Sequence, residues 1–299
     1  MTTFSRKAAG LVFAAVALTQ AVCGGGPKDR SATSPTAFHL PTPGAEGRVN
    51  SSAVGPPLGT ATAFAVLGAS TVTNTGATLV TGNLGVFPGL AIVGFPPGIV
   101  TGTQHSGVGV ASGAQADITT AYNNLAGQAC DVNLTGQNLG GMTLTPGVYC
   151  FNSSAQLTGT LTLDGLGNAG AVWVFQTGST LTTASASSVV FINSGQSCGA
   201  FWQIGSSATL GTGTAFRGNV LALASITAST GASVAGGLFA RTGAVTLDTN
   251  AVAAVGSCGS VIQPPPPTPL PTVPALPGPA AIGLLAILLA GGAFTLSRR

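Results

Sequence analysis

A solenoid of short β-strands with one helix lying along it is the fold the sequence predicts, and three observations carry that reading. A four-residue phrase recurs as Thr180-Leu181-Thr182-Thr183, Thr209-Leu210-Gly211-Thr212, Thr227-Ala228-Ser229-Thr230 and Thr246-Leu247-Asp248-Thr249. The gaps between its first threonines are 29, 18 and 19 residues, and the long gap holds the insert around Asn193-Ser194-Gly195-Gln196-Ser197-Cys198. A period near twenty in small polar and β-branched residues belongs to coils stacked on one another, each too small to bury its own apolar face. Short apolar runs separated by Gly, Pro and Asn give strands and tight corners through the rest of the body. One stretch, Ser106 to Gly127, changes to helical spacing.

The segments outside the body differ in character. Arg6 and Lys7 precede an apolar run from Ala8 to Leu18 and a small-residue exit near Ala21, so residues 1–21 read as a secretory signal peptide. Gln20-Ala21-Val22 is a poor lead-in for lipid attachment, which leaves Cys23 as a pruned or unpaired thiol. Residues 22–57 lack an apolar period and read as a flexible leader containing the solvated His39. At the other end, residues 263–278 open on Pro264-Pro265-Pro266-Pro267 and form a stiff spacer. Residues 279–299 carry the apolar run Ala280 to Leu296 closed by Arg298-Arg299, at the short end of bilayer-spanning length. Proline-rich motif, single hydrophobic helix and terminal arginines together resemble the C-terminal sorting signals of the PEP-CTERM class, with Val-Pro-Ala-Leu-Pro standing where that class has Val-Pro-Glu-Pro. A permanent anchor and a transient signal removed by a sorting enzyme both place the body outside the inner membrane, and the sorting-signal reading implies a Gram-negative envelope.

Within the body, residues 58–262, the strands follow in order. Thr62 to Leu67, Ser70 to Gly76, Val80 to Val86 and Gly94 to Thr103 come first, with Pro88, Pro96 and Pro97 at corners. In the helical stretch, apolar Val110, Ala114, Ile118, Ala121, Tyr122 and Leu125 lie on one face with Gln115, Asp117, Asn123 and Asn124 between them, so a helix over about 106–127 covers an apolar flank. Ser106 is its expected cap and Gly127 its stop. Beyond it the coils resume through Val132 to Thr135 and Leu144 to Phe151. Further strands are Leu157 to Leu163, Ala171 to Gln176, Ser188 to Asn193, Ala200 to Ile204, Asn219 to Leu223 and Gly237 to Arg241. Trp173, Phe175, Phe191, Phe201, Trp202 and Phe239 are expected to fill the space between sheets.

Composition excludes several functions. Charged residues are 5% of the chain, and the body holds only Arg217 and Arg241 against Asp117, Asp131, Asp164 and Asp248, a net charge of −2. Such a surface cannot hold a phosphate backbone, so nucleic acid is no partner. Four scattered aspartates and the solitary His105 provide neither the paired carboxylates nor the nucleophile–base pair of a hydrolase, and no metal or cofactor is implied. In an exported chain Cys130, Cys150, Cys198 and Cys258 read as two disulfides among three possible pairings. Cys130 and Cys150 are 20 residues apart, one coil, while Cys198 and Cys258 are 60 apart, about three.

What remains is a surface. With Leu181, Leu210, Ala228 and Leu247 inward, alternation points Thr180, Thr209, Thr227 and Thr246 outward in one file. A second file contains Thr182, Gly211, Ser229 and Asp248, and a third, near the corner, Thr183, Thr212, Thr230 and Thr249. Strands about 4.8 Å apart and alternate residues about 6.7 Å apart make this a flat grid of methyls and hydroxyls able to hold ordered water. The carboxylate of Asp248 is a blemish, since a charge holds water in its own geometry. A competing face runs through Ser188, Val190, Ala215, Arg217, Ser233 and Ala235, with Arg217 as a comparable blemish. Threonine also simply suits strands and corners.

Residues 58 to 255 resemble the microbial ice-binding protein family of the DUF3494 type. The resemblance rests on phrases such as Ser70-Thr71-Val72-Thr73-Asn74-Thr75-Gly76, Gly82-Asn83-Leu84-Gly85-Val86-Phe87-Pro88-Gly89, Gly94-Phe95-Pro96-Pro97-Gly98, Leu139-Gly140-Gly141-Met142-Thr143-Leu144-Thr145-Pro146-Gly147-Val148-Tyr149 and Phe201-Trp202-Gln203-Ile204-Gly205. It implies a mainly β fold, a discontinuous parallel β-helix of three faces with one long α-helix packed alongside, right-handed as parallel crossovers are. It further implies that one flat face adsorbs to ice and slows growth and recrystallisation, with the ice crystal as partner, a monomeric body and no cofactor. Thr180, Thr182, Thr183, Thr209, Thr212, Thr227, Ser229, Thr230, Thr246 and Thr249 are the candidate contact residues. A cell-surface adhesin or matrix protein using the same solenoid as a scaffold is the alternative.

Overall fold

Each complete coil contributes one strand to each of three parallel sheets, and the partial coils on either side of the helix contribute fewer. In the computed structural model, which describes residues 53–256, the first sheet has nine strands, the second seven and the third eight. Residues 1–52 and 257–299, and with them the signal, most of the leader, the spacer and the tail, lie outside the described residues. Among the described residues no helix is long and apolar enough to cross a membrane.

The coils are not stacked in chain order. Phe64–Gly68 pairs with Asn83–Val86 on one side and with Leu238–Ala240 on the other. Thr71–Thr75 likewise meets Val245–Asp248, and Leu79–Thr81 meets Ala251–Ala253. The chain therefore builds two coils and leaves through Gln104–Ser106. It runs along the first sheet as helix α1 (Val110–Ala126), restarts at Val132–Asn133, and returns coil by coil until its last described coil closes on its first. This is the discontinuous β-helix with a flanking helix that the family resemblance implied.

Burial separates the three sheets. Strands of the first sheet such as Phe64–Gly68, Gly147–Phe151 and Ala200–Ile204 are buried along their whole length, because their inward side chains fill the coil interior and their outward ones meet α1. Ala111, Ala114, Ile118, Ala121, Tyr122 and Leu125 recur at three- and four-residue spacing and pack on Phe64, Val174, Phe201, Leu221 and Phe239. Phe201 and Phe239 thus lie under the helix and not between sheets. Trp202, the next residue after Phe201, faces the interior, as strand alternation requires. There it stacks on Phe175 with ring centroids 3.9 Å apart.

Helix α1 is shorter than expected at its start. Gly109, at φ 99°, occupies the cap position. Its N–H donates to Ser112 Oγ at 3.2 Å, and that hydroxyl donates back to Gly109 O at 2.8 Å. Ser106 instead donates to Leu90 O at 2.7 Å, tying the exit loop to the coil before it. Gly127 ends the helix as foreseen, and Gln176 Nε2 donates to Leu125 O and Gln128 O, satisfying carbonyls at that end. The expected strand from Leu157 to Leu163 is two strands, Ala155–Leu157 and Thr160–Asp164, broken where Gly159 takes φ 89° to turn between sheets.

The corner between second and third sheets contains a buried polar column. Asn250, 3% exposed, accepts Asp248 N–H on Oδ1 at 2.6 Å and donates through Nδ2 to Ser229 O and Ala232 O. Its N–H donates to Thr78 Oγ1 at 3.0 Å, which joins the last described coil to the first. Asn250→Ala takes the partner from Asp248 N–H and one of two donors from the Ser229 and Ala232 carbonyls, which still accept Ala232 N–H and Ala251 N–H respectively. It is expected to cost about 2 kcal/mol in chemical denaturation, since a buried orphan costs about 1–3 kcal/mol.

The disulfide Cys130–Cys150 is formed, with Cα atoms 5.9 Å apart, and ties the segment between α1 and Val132–Asn133 to the strand Gly147–Phe151. Cys198 is also disulfide-bonded. Cys258 lies outside the described residues.

Candidate functional site

Of three faces, only one is both open and level. The first sheet is covered by α1 over much of its length. The third sheet carries the competing residues in register: Ser188, Ala215 and Ser233 form one file and Arg217 sits beside Ala235 in the next. That face is not flat. Its small side chains leave a depression of about 240 Å³ rimmed by Leu79, Thr81 and Arg217, and Leu79 and Ile192 stand out of it, more than 40% exposed.

The second sheet is different. Its strands alternate strictly, with Ala155, Leu157, Leu181, Ala208, Leu210, Ile226, Ala228, Val245 and Leu247 buried beneath. Above them, register places Thr182 beside Thr209, Thr209 beside Thr227, Thr227 beside Thr246 and Thr246 beside Thr73. Gln156 extends this file at one end and Val93 at the other. Five threonines from five stacked coils therefore stand in one straight row at the inter-strand spacing of about 4.8 Å. The hydroxyls of Thr182, Thr209 and Thr227 make no hydrogen bond to any described residue, and Thr73 and Thr246 meet only each other, at 3.4 Å.

Thr209, Thr227 and Thr246 thus share a file as the alternation predicted, but the first coil enters it two residues later than expected. Thr182 occupies the position given to Thr180. The repeated phrase misleads here because Leu181 aligns with Ala208 and not with Leu210. Thr180 lies at the corner beside the file, bonded to Ser154 at 2.8 Å. Thr183 is a clear correction. It is 3% exposed and faces inward, where its hydroxyl pairs with Thr214 at 2.8 Å and accepts Gly211 N–H at 2.8 Å. A threonine can serve inside because the column at this corner satisfies its hydroxyl.

The far edge of the face is also modified. Thr230 Oγ1 donates to Asp248 Oδ2, and Thr249 Oγ1 donates to Asp248 Oδ1 at 3.1 Å. Asp248 is brought opposite Thr75, while Gly213, Gly231 and Thr249 all take positive φ at this corner. Thr212 and Ser229 lie along the same margin, exposed and partly exposed respectively. Thr71, Thr73 and Thr75 are contributors that repeat analysis missed, because they precede the helix and reach the face only through the closure of first coil on last. The phrase Thr71-Val72-Thr73-Asn74-Thr75 carries the same alternation and could have been read as a strand of this face.

Nothing in the geometry suggests chemistry. Asp117 accepts the N–H and hydroxyl of Thr60 at 2.7 and 2.6 Å, Asp131 accepts Val148 N–H at 2.8 Å, and Asp164 accepts Leu166 N–H and Asn193 Nδ2 at 2.9 Å each. These carboxylates hold loops and strand ends. Arg241 lies over the Tyr122 ring at 4.3 Å, pinning the helix. Burial raises the pKa of the Tyr149 phenol, which donates to Thr145 O inside the body, away from any face. Among the described residues no group of three His, Cys, Asp or Glu could hold a metal ion.

Comparison with known proteins agrees with this architecture. A family profile described as Ice-binding-like matches residues 66–253. The chain is 60% identical over 196 residues to an ice-binding protein of Nostoc sp. (strain HG1), covering 65% of this chain and 72% of that one. The crystal structure of an ice-binding protein from the Antarctic ascomycete Antarctomyces psychrotrophicus superimposes with a TM-score of 0.66 at 43% identity, over 68% of this chain and all of that one. An ice-binding protein from an Antarctic biological consortium gives a TM-score of 0.66 at 46% identity, over 67% of this chain and 91% of that one. With its family profile covering most of the body and its coils stacked in the same way, the chain belongs to the ice-binding-like family.

Proposed function

We propose that this protein adsorbs to ice through the second sheet, with Thr182, Thr209, Thr227, Thr246 and Thr73 as the contact row and Thr180, Thr212 and Ser229 beside it. The observation that carries this is the row of threonines over a rigid apolar interior, the hydroxyls of Thr182, Thr209 and Thr227 unengaged by any described residue and those of Thr73 and Thr246 meeting only each other. Methyl groups on such a grid favour cage-like water, and hydroxyls tie that water to the protein, so the adsorbed layer is continuous with both protein and crystal. Bound molecules then pin the advancing front between them. No catalytic step, cofactor or metal enters.

Export of the body fits this function, since ice meets a cell from outside. The signal-like residues 1–21 and the disulfide Cys130–Cys150 support an oxidising, extracytoplasmic setting. The tail 279–299 then either tethers the body to the envelope or is removed once it has been sorted.

Ice uptake tests the function against the scaffold alternative. The purified, fluorescently labelled protein is expected to be overgrown into a slowly growing ice hemisphere and to arrest coarsening of polycrystalline ice. Ice that excludes the folded protein and coarsens at the buffer rate would leave only the scaffold reading.

A further inference from the structure

Asp248 stands apart from the other carboxylates of the body. Asp117, Asp131 and Asp164 each accept at least one backbone N–H. Among the described residues, the hydrogen bonds of the Asp248 carboxylate come only from two threonine hydroxyls, Thr230 on Oδ2 and Thr249 on Oδ1. It is also the single charged residue in the seven strands of the second sheet, and the neighbouring coil has Thr75 opposite it. Its backbone is fixed independently, with its N–H on Asn250 Oδ1 and its carbonyl accepting Gly231 N–H at 3.1 Å. The side chain is therefore not needed to hold the strand.

From this geometry we infer that Asp248 sets the lateral limit of the ice contact and so determines which ice planes the face accepts. The inference rests on the second sheet being the adsorbing face. Two effects act together. The carboxylate draws the hydroxyl protons of Thr230 and Thr249 to itself, so neither hydroxyl donates to surface water. Its remaining lone pairs bind water in a radial pattern that a tetrahedral lattice of neutral molecules cannot match. Contact stops at the threonine row and its flanking Thr180, Thr212 and Ser229, although the grid continues geometrically to the corner through Thr75.

The test replaces charge and keeps shape. Asp248→Asn is isosteric and leaves an acceptor oxygen. The variant is expected to reach the same recrystallisation inhibition at about threefold lower concentration, the range a partly exposed charge commands, and to label additional planes on a single-crystal ice hemisphere. Asp248→Ser is expected to act in the same direction should the amide fold poorly, and Asp248→Glu, which retains charge, should show no gain. Thermal unfolding is expected to move little, so a change in labelled planes reports the face and not the fold. If folded Asp248→Asn and Asp248→Ser both label the wild-type planes at wild-type strength while Thr209→Tyr is inactive, the inference is overturned and the face stands. Should Thr209→Tyr retain full activity, the face itself is wrong, and the inference goes with it.

Discussion

Thr209→Tyr is expected to raise the concentration needed for recrystallisation inhibition at least about tenfold, equivalent to about 1.4 kcal/mol or more of lost adsorption, with the unfolding midpoint unchanged. Thr209 is exposed, in the middle of the row between Thr182 and Thr227, and its hydroxyl has no partner among the described residues. The tyrosine ring removes nothing from the core, because Ala208 and Leu210 on either side of it supply the burial. What it does is stand above a level surface and separate its neighbours from the crystal. Thr209→Val separates the two halves of the proposed mechanism: it keeps the shape and loses the hydroxyl, and an intermediate loss is expected if methyls order the water and hydroxyls anchor it. Ala235→Tyr, on the third sheet beside Arg217, is expected to leave activity intact. Loss in Ala235→Tyr beside full activity in Thr209→Tyr would move the adsorbing surface to the third sheet.

Trp202→Ala is expected to destabilise the fold by about 4 kcal/mol, measured by chemical denaturation, without touching the ice face. Trp202 is wholly buried, stacked on Phe175, tilted against Phe216 at 4.9 Å, and its Nε1 donates to Arg217 O at 3.1 Å. Deleting the ring opens a cavity in close-packed surroundings and orphans a carbonyl at the start of the turn between coils, and aromatic-to-alanine core changes of this kind cost about 3–5 kcal/mol. Against a domain stability of about 5–15 kcal/mol this is a large fraction. Activity per folded molecule should be unchanged just below freezing, provided the folded fraction is measured at the same temperature. A destabilisation below about 1 kcal/mol would mean that the interior relaxes around the gap far more than interiors of this density do.

The solenoid, the helix and its apolar face, the coil-long spacing of Cys130 and Cys150, and the row formed by Thr209, Thr227 and Thr246 were all legible in the order of residues. These features are local: strand alternation, helical spacing and a period near one coil express themselves within twenty or thirty residues. Thr183 was misplaced for an equally physical reason. In sequence it looks like an outward residue of the repeated phrase, and an inward hydroxyl is tolerable only because Thr214, 31 residues away, and Gly211 N–H, 28 away, meet it.

By itself, then, the sequence determined that this chain stacks small, almost uncharged coils and presents threonine on a strand surface. The tertiary structure decided which surface that is. It closed the first coil on the last, which brought Thr73 into line with Thr246, laid the helix over one sheet, left a depression in another, and turned the Thr230 and Thr249 hydroxyls onto Asp248. Alternation says only that a side chain points away from its own strand. Whether that direction ends in water, under a helix or against a carboxylate depends on contacts between residues far apart in the chain, and those form only when the coils close.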